Sequence, residues 1–138
     1  MPASVNRISY NILARDVALS ASFYQQLAGF QPVETSDYRV VMTLPGLLGV
    51  ELVLIDQVSE FVPRAARGTI EGSYLTFVVD DVVRAVEIAR EFGVEIAEET
   101  LTPDIGQGRA VIRDPNGLVV DLVSASAEAT LPPRHSVA

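Results

Sequence analysis

The sequence has no cysteine and no lysine, and its single histidine is His135, near the C-terminal end. Without cysteine there are no disulfides, thiolate nucleophiles, zinc–thiolate sites or iron–sulfur clusters. Without lysine there is neither Schiff-base catalysis nor a phosphate-binding loop built on a lysine. One imidazole also rules out any site that needs two histidines from one chain. His135 is expected to be a tail residue, with a role in trans at a dimer interface as the alternative. Long apolar runs are missing too: none approaches the roughly 20 residues of a membrane helix. The N-terminal segment lacks the apolar core of a secretory signal, so the expectation is a soluble, cytoplasmic protein without a membrane partner. Basic charge is scarce, with 10 arginines against 18 acidic residues and a net charge of −8. That balance leaves no basic patch for phosphates and predicts no nucleic-acid partner. It suits a cationic ligand, or simply a well-solvated acidic surface.

What is present is an ordinary globular composition: 138 residues, 49% apolar and 20% charged. That length fits one compact domain, or two small modules sharing a core. Arg7 to Ala14 alternates as a strand, with Ile8, Tyr10 and Ile12 on one face and Ser9, Asn11 and Leu13 on the other. Asp16 is a candidate N-cap, and apolar residues then follow helical spacing until Gly29. Extended segments are predicted at 31–34, 39–44 and 49–56, and a linker with one helical turn at 57–72. The pattern then repeats: a strand at 73–79, a helix from the Asp81 cap to Gly93, and extended segments at 94–97, 108–113 and 118–124. Asp114-Pro115-Asn116-Gly117 reads as a tight turn, with proline presetting the first corner and Gly117 taking positive φ. The Gly106-Gln107-Gly108 stretch opens no helix and reads as a plain loop before Arg109.

The order is βαβββ twice. It predicts an α+β fold in which two tandem βαβββ modules form a curved mixed sheet around a shared cavity. Module one spans about 5–56, module two about 73–124, and a tail covers 125–138. One helix covers one face of each sheet, so the functional residues are expected on the opposite faces.

Three segments carry a resemblance. Phe23-Tyr24-Gln25-Gln26-Leu27-Ala28-Gly29-Phe30, after a strand leading to Asp16, resembles the first-module signature of the vicinal oxygen chelate superfamily. That group contains glyoxalase I, extradiol dioxygenases, and fosfomycin- and bleomycin-resistance proteins. Val78-Val79-Asp80-Asp81 with Gly93-Val94-Glu95-Ile96 is similar to the start of its second module, and Arg113 to Leu122 to its closing hairpin. The resemblance covers roughly residues 5–124 and implies a single glyoxalase/bleomycin-resistance-like domain and a homodimer. In metal-dependent relatives two ligands come from each module. By that correspondence the positions fall on Ser9, Glu51, Tyr74 and Asp121. Serine and tyrosine are poor neutral ligands for Zn, Ni, Fe or Mn, so no catalytic metal is expected. Glu51 and Asp121 holding a divalent ion weakly is the alternative.

The inward-facing candidates are therefore Ser9, Asn11, Glu51, Tyr74, Thr76 and Asp121, with Tyr38 and Phe61 at the rim. Glu51 and Asp121 are either an acidic floor for a ligand or structural partners of arginines such as Arg109 and Arg113. If the arginines point outward, the floor is negative and favours a planar cation stacked on Tyr74. The expected function is a metal-free binding protein, resembling bleomycin-resistance proteins, that sequesters a small aromatic or cationic molecule. The alternative is a lyase, isomerase or dioxygenase using Glu51 or Asp121 as general base or metal ligand.

Overall fold

Asp16 starts the first helix as an N-cap: its side chain accepts the Leu19 amide at 3.0 Å, satisfying a donor the helix itself leaves unpaired. Helix α1 (Val17–Ala28) ends where Gly29 takes φ 77° and its amide bonds back to the Gln25 carbonyl. Helix α2 (Val82–Phe92) repeats the device, with Asp81 accepting from Arg84 at 3.0 Å and Gly93 at φ 78°. In both, the left-handed residue closing the helix is glycine, which has no Cβ to strain.

The computed structural model describes residues 2–125 and divides into two units. His135 and the expected tail from residue 126 onward lie outside the described residues. Unit 1 is the chain up to Gly72 together with Asp114–Leu118. Its strands are β1 (Ile8–Ala14), β2 (Gln31–Thr35), β3 (Arg39–Thr43) and β4 (Val50–Asp56), in the sheet order β1-β4-β3-β2. β1 runs parallel to β4, and the other pairings are antiparallel. Phe23, Tyr24 and Leu27 of α1 are buried together with Ile12, Val40, Met42, Leu52 and Leu54 of the sheet. Fully burying one large apolar side chain contributes roughly 1.5–3 kcal/mol.

Unit 2 is Ser73–Arg113 and the chain from Val119 on. It contains β5 (Leu75–Val78), α2, β6 (Ile96–Thr102), β7 (Gln107–Arg113) and β8 (Val119–Val123), in the sheet order β5-β8-β7-β6. Val82, Ala85, Val86 and Ala89 of α2 are buried with Ala110, Ile112, Val120 and Leu122. Each unit is thus one βαβββ module, with its helix on one face of a four-stranded mixed sheet. No helix among the described residues is long and apolar enough to cross a membrane.

Two strands differ from expectation by more than one residue at an end. The strand expected at 73–79 is only Leu75–Val78, and the one expected at 94–97 is Ile96–Thr102. β6 has no apolar alternation after Ile96, and its extent is set by pairing with β7 across a register shift between Ile96 and Glu98. The linker does contain one helical turn, Arg64–Ala66, and a second short turn, Pro103–Ile105, was not anticipated.

The turn at 114–117 is built as its residues suggest. The Asp114 carboxylate Oδ1 accepts the amides of Asn116 at 2.8 Å and Leu118 at 2.9 Å, and Gly117 has φ 89°. Its other oxygen, Oδ2, accepts the buried Tyr24 hydroxyl at 2.7 Å.

Candidate functional site

The face of the unit 1 sheet opposite α1 carries alternate residues of three strands: Arg7, Ser9 and Asn11 leading into and along β1, Glu51 and Val53 on β4, and Arg39 and Val41 on β3. β1 pairs Ser9 with Glu51, and β3 pairs Val41 with Val53, so these side chains gather on one surface. They line an open concavity of about 320 Å³, with Val33 and Glu34 of β2 on its far side. Its lining is mostly charged or polar; Val41 and Val53 reach it but are themselves 5% and 2% exposed. Toward the other end of the strands the face is closed by the linker. There Val62 is buried against Val41, Val53 and Ile55, with Leu13 and Tyr38 packed around them. Phe61 from the same linker lies on Tyr38, ring centroids 4.9 Å apart, while remaining 63% exposed.

The charges in this concavity are partly matched. The Ser9 hydroxyl donates to Glu51 Oε1, and the Arg7 guanidinium stands 3.8 Å from the same oxygen. Arg39 donates from Nη2 to Glu34 Oε1 at 2.7 Å, and its guanidinium lies 5.9 Å from the Tyr38 ring centroid, within cation–π range. The hydrogen bond to Glu34, then its charge, hold the Arg39 guanidinium still further above its usual range, against a smaller opposing effect of burial. Yet Arg39 Nε is shielded from solvent and has no hydrogen-bond partner, although 34% of the side chain is exposed.

Unit 2 places Thr76 and Asp121 opposite each other in the β5–β8 register, as β1 and β4 place Ser9 and Glu51. The Thr76 hydroxyl donates to Asp121 Oδ2 at 3.3 Å. Arg109 grips the same carboxylate with two prongs, Nε to Oδ1 at 2.8 Å and Nη2 to Oδ2 at 3.1 Å. That hydrogen bonding raises the Arg109 pKa, burial opposes it, and the charge of Asp121 adds to the rise, with smaller contributions from Tyr74 and Glu98.

Three expectations are corrected by this geometry. The hydroxyl equivalent to Ser9 belongs to Thr76, not Tyr74, because β5 turns toward its helix two residues sooner: Ser9 precedes its cap by seven residues and Thr76 by five. Tyr74 itself precedes β5 and is 61% exposed. The acidic floor is not bare: Arg109 lies on Asp121, which is 5% exposed, an ion pair of the kind the alternative described. Arg113 pairs with Glu95 rather than with either inward carboxylate. Asn11 lines the concavity with Ser9 and Glu51, as expected.

The charged residues of the concavity that the sequence pattern does not single out are Arg7, Glu34 and Arg39. A signal for two of them was there: Arg7 has the parity of Ser9 and Asn11 on β1, and Arg39 the parity of Val41 on the strand beside β4. Their guanidinium heads reach several ångströms from the backbone position that the pattern fixes.

The sequence pattern of the Glyoxalase/Bleomycin resistance protein/Dioxygenase superfamily matches residues 5–122. The chain belongs to that superfamily. Solved structures of this fold at 19–23% identity include lactoylglutathione lyase from Agrobacterium tumefaciens (19% identity, TM-score 0.59, 90% of this chain and 95% of that one). The antibiotic binding protein TnmS3 from a Streptomyces species is similar over 89% of this chain and 96% of its own, with 23% identity and TM-score 0.60. The oxidase ChaP-H2 matches with 21% identity and TM-score 0.61 over 90% and 94%. At such identities the likeness shows the fold alone. No curated protein matches the chain.

Superfamily membership raises the question of a metal, and the donor set answers against one. The four corresponding side chains are two hydroxyls and two carboxylates, with no imidazole. Both Asp121 oxygens are engaged by Arg109, and the Glu51 oxygen by Ser9. A cation would have to displace a guanidinium from Asp121 and would find only neutral hydroxyls beside each carboxylate. Such donors do not suit Zn, Ni, Fe or Mn. Among the described residues no three histidine, cysteine or acidic side chains converge on one point.

Proposed function

We propose that this superfamily member is a small-molecule-binding protein that holds an organic ligand on the open sheet face of unit 1 without a transition metal. The observation that carries the reading is the fate of the inward carboxylates, whose neighbours are hydroxyls and guanidinium groups rather than imidazoles. A concavity lined by oriented polar and charged groups, with Val33, Val41 and Val53 among them, is how a small ligand is held and turned at once. The tilted Tyr38–Phe61 ring pair, with Tyr38 next to Arg39, favours a flat, aromatic ligand over an aliphatic one. Likeness to an antibiotic binding protein agrees with sequestration, and likeness to a lyase keeps a catalytic reading in view. That alternative rests on Glu51 as general base, because Arg109 holds Asp121 in place.

Native mass spectrometry of the purified protein, with elemental analysis of the same sample, tests the reading. The expected spectrum shows a co-purifying organic mass, or binding of added aromatic compounds, and no stoichiometric metal. The homodimer implied by family resemblance is read from the same spectrum. Stoichiometric Ni, Zn, Fe or Mn would overturn the proposal.

A further inference from the structure

The two modules contain a natural comparison between arginines. Arg109 uses Nε and Nη2 together, side-on, against the two oxygens of Asp121 at 2.8 and 3.1 Å. A planar guanidinium edge and a planar carboxylate match in this way because the spacing of the two N–H groups fits that of the two oxygens. Arg39 uses Nη2 alone, against one oxygen of Glu34, and its Nε–H has no acceptor. A shielded donor without an acceptor is unfavourable, since water has been removed and nothing replaces it. Glu34 does not complete the pair, although it is 57% exposed on an edge strand. Arg39 is one of the residues lining the concavity, and its guanidinium lies 5.9 Å from the Tyr38 ring centroid; its Nε is shielded from solvent, so a ligand reaches that donor only as the guanidinium turns.

We infer that Arg39 is the anchor for a carboxylate on an aromatic ligand, which takes the side-on position that Asp121 takes on Arg109. This rests on the binding reading above and names the ligand class: a flat, apolar body with a planar two-oxygen acid group. On binding, the guanidinium turns about its terminal bonds, Glu34 is released to solvent, and Nε and Nη2 each gain a ligand oxygen. The ring occupies the concavity between β1 and β2, beside Val33. Glu34 is then a competitor that a ligand acid must displace, and it weakens binding of the acid without acting on rings that leave the pair intact.

The test is an amide and side-chain NMR titration of nitrogen-15-labelled protein with naphthoate, naphthamide and naphthylmethylammonium, three probes that share a ring and differ in charge. The expected result is tightest binding of naphthoate, with shifts at the amides of β3 and β4 and movement of the Arg39 Nε–H signal. Arg39→Gln should weaken naphthoate binding roughly 10- to 100-fold, the scale of a lost charge-assisted pair, and weaken naphthamide, whose carbonyl takes only a neutral hydrogen bond, by far less. Glu34→Gln should tighten naphthoate binding, a change of opposite sign that general loss of folding cannot produce. Equal affinity for all three probes, tighter binding of the ammonium, or an unchanged affinity in Glu34→Gln overturns the role of Arg39 while leaving the binding reading intact. If none of the probes shifts the β3 and β4 amides at millimolar concentration, both the anchor and the binding site are wrong.

Discussion

Replacing Tyr24 by phenylalanine removes one oxygen and little else, so its effect can be worked out in advance. The ring is fully buried and meets Phe23 and Phe30 edge-on, at centroid distances of 5.2 and 6.2 Å. Phenylalanine keeps those contacts. What disappears is the 2.7 Å hydrogen bond to Asp114 Oδ2, in a place where water does not substitute for it. Asp114 retains two amide donors on its other oxygen, from Asn116 and Leu118, so its charge is not stranded. A hydrogen bond to a charged group is worth about 1.5–3 kcal/mol. Since about 1 kcal/mol moves Tm by roughly 2–4 °C in a domain a little larger than this one, a fall of about 6 °C is expected. The pH dependence supplies a second check. Burial first, and then the neighbouring Asp114, hold the Tyr24 phenol well above its ordinary pKa. In the unfolded chain the phenol ionises near pH 10. A raised folded pKa means that the contribution is complete below about pH 10 and is lost as pH climbs from there toward the folded value. Thermal melts of wild type and Tyr24→Phe should therefore differ by a constant amount at neutral pH and converge at high pH. A Tm change under about 1 °C, or parallel alkaline limbs, would refute the reasoning.

Other outcomes follow from the same structure. Gly117→Val should cost about 1–2 kcal/mol by calorimetry, from positive φ alone, because nothing lies within 4 Å of the added Cβ. Gly108→Ala should cost more, about 3 kcal/mol or above, since its Cβ would stand 2.2 Å from the Thr100 carbonyl oxygen. Arg109→Gln should destabilise by about 1–2 kcal/mol in denaturant melts, less than a fully buried pair because the arginine is 40% exposed. Exhaustive chelation should leave Tm unchanged; a large loss restored by one divalent ion would show that the hydroxyl–carboxylate sets do hold metal.

Much of the fold was legible because local chemistry and global arrangement agree. Asp16 and Asp81 cap, Gly29 and Gly93 terminate, and the apolar spacing between them faces a sheet in each unit. Glu51 and Asp121 were placed on the correct strands for the same reason: strand parity is a backbone property. The failures share a different cause. The equivalence of Tyr74 with Ser9 assumed a fixed spacing between strand and helix, whereas the hydrogen-bonding register decides the partner and chooses Thr76. β6 was misplaced because an exposed edge strand of Glu, Glu and Thr carries no burial pattern and is defined by its neighbour. The arginines escaped because pattern locates a Cα and says nothing of where a long side chain delivers its charge.

That last point changes how the ligand's charge is to be read. A net charge of −8 argues for a cation only if the acidic groups act together at the site. At physiological ionic strength charges separated by more than about 8 Å are largely screened in solvent, so the few groups lining the concavity outweigh the rest of the surface. Locally the balance is even, with Arg7 and Arg39 facing Glu34 and Glu51. When formal charges cancel, selectivity passes to geometry, namely to which donor or acceptor still lacks a partner. Glu51 accepts from Ser9 and is approached by Arg7 at one of its oxygens, whereas Arg39, paired with Glu34 through Nη2, keeps its Nε–H in reserve. The unsatisfied group is a donor and a cation. On the role inferred for Arg39, an acidic protein presents a site that selects an acid, the sign of its ligand being set by one incomplete pair rather than by composition.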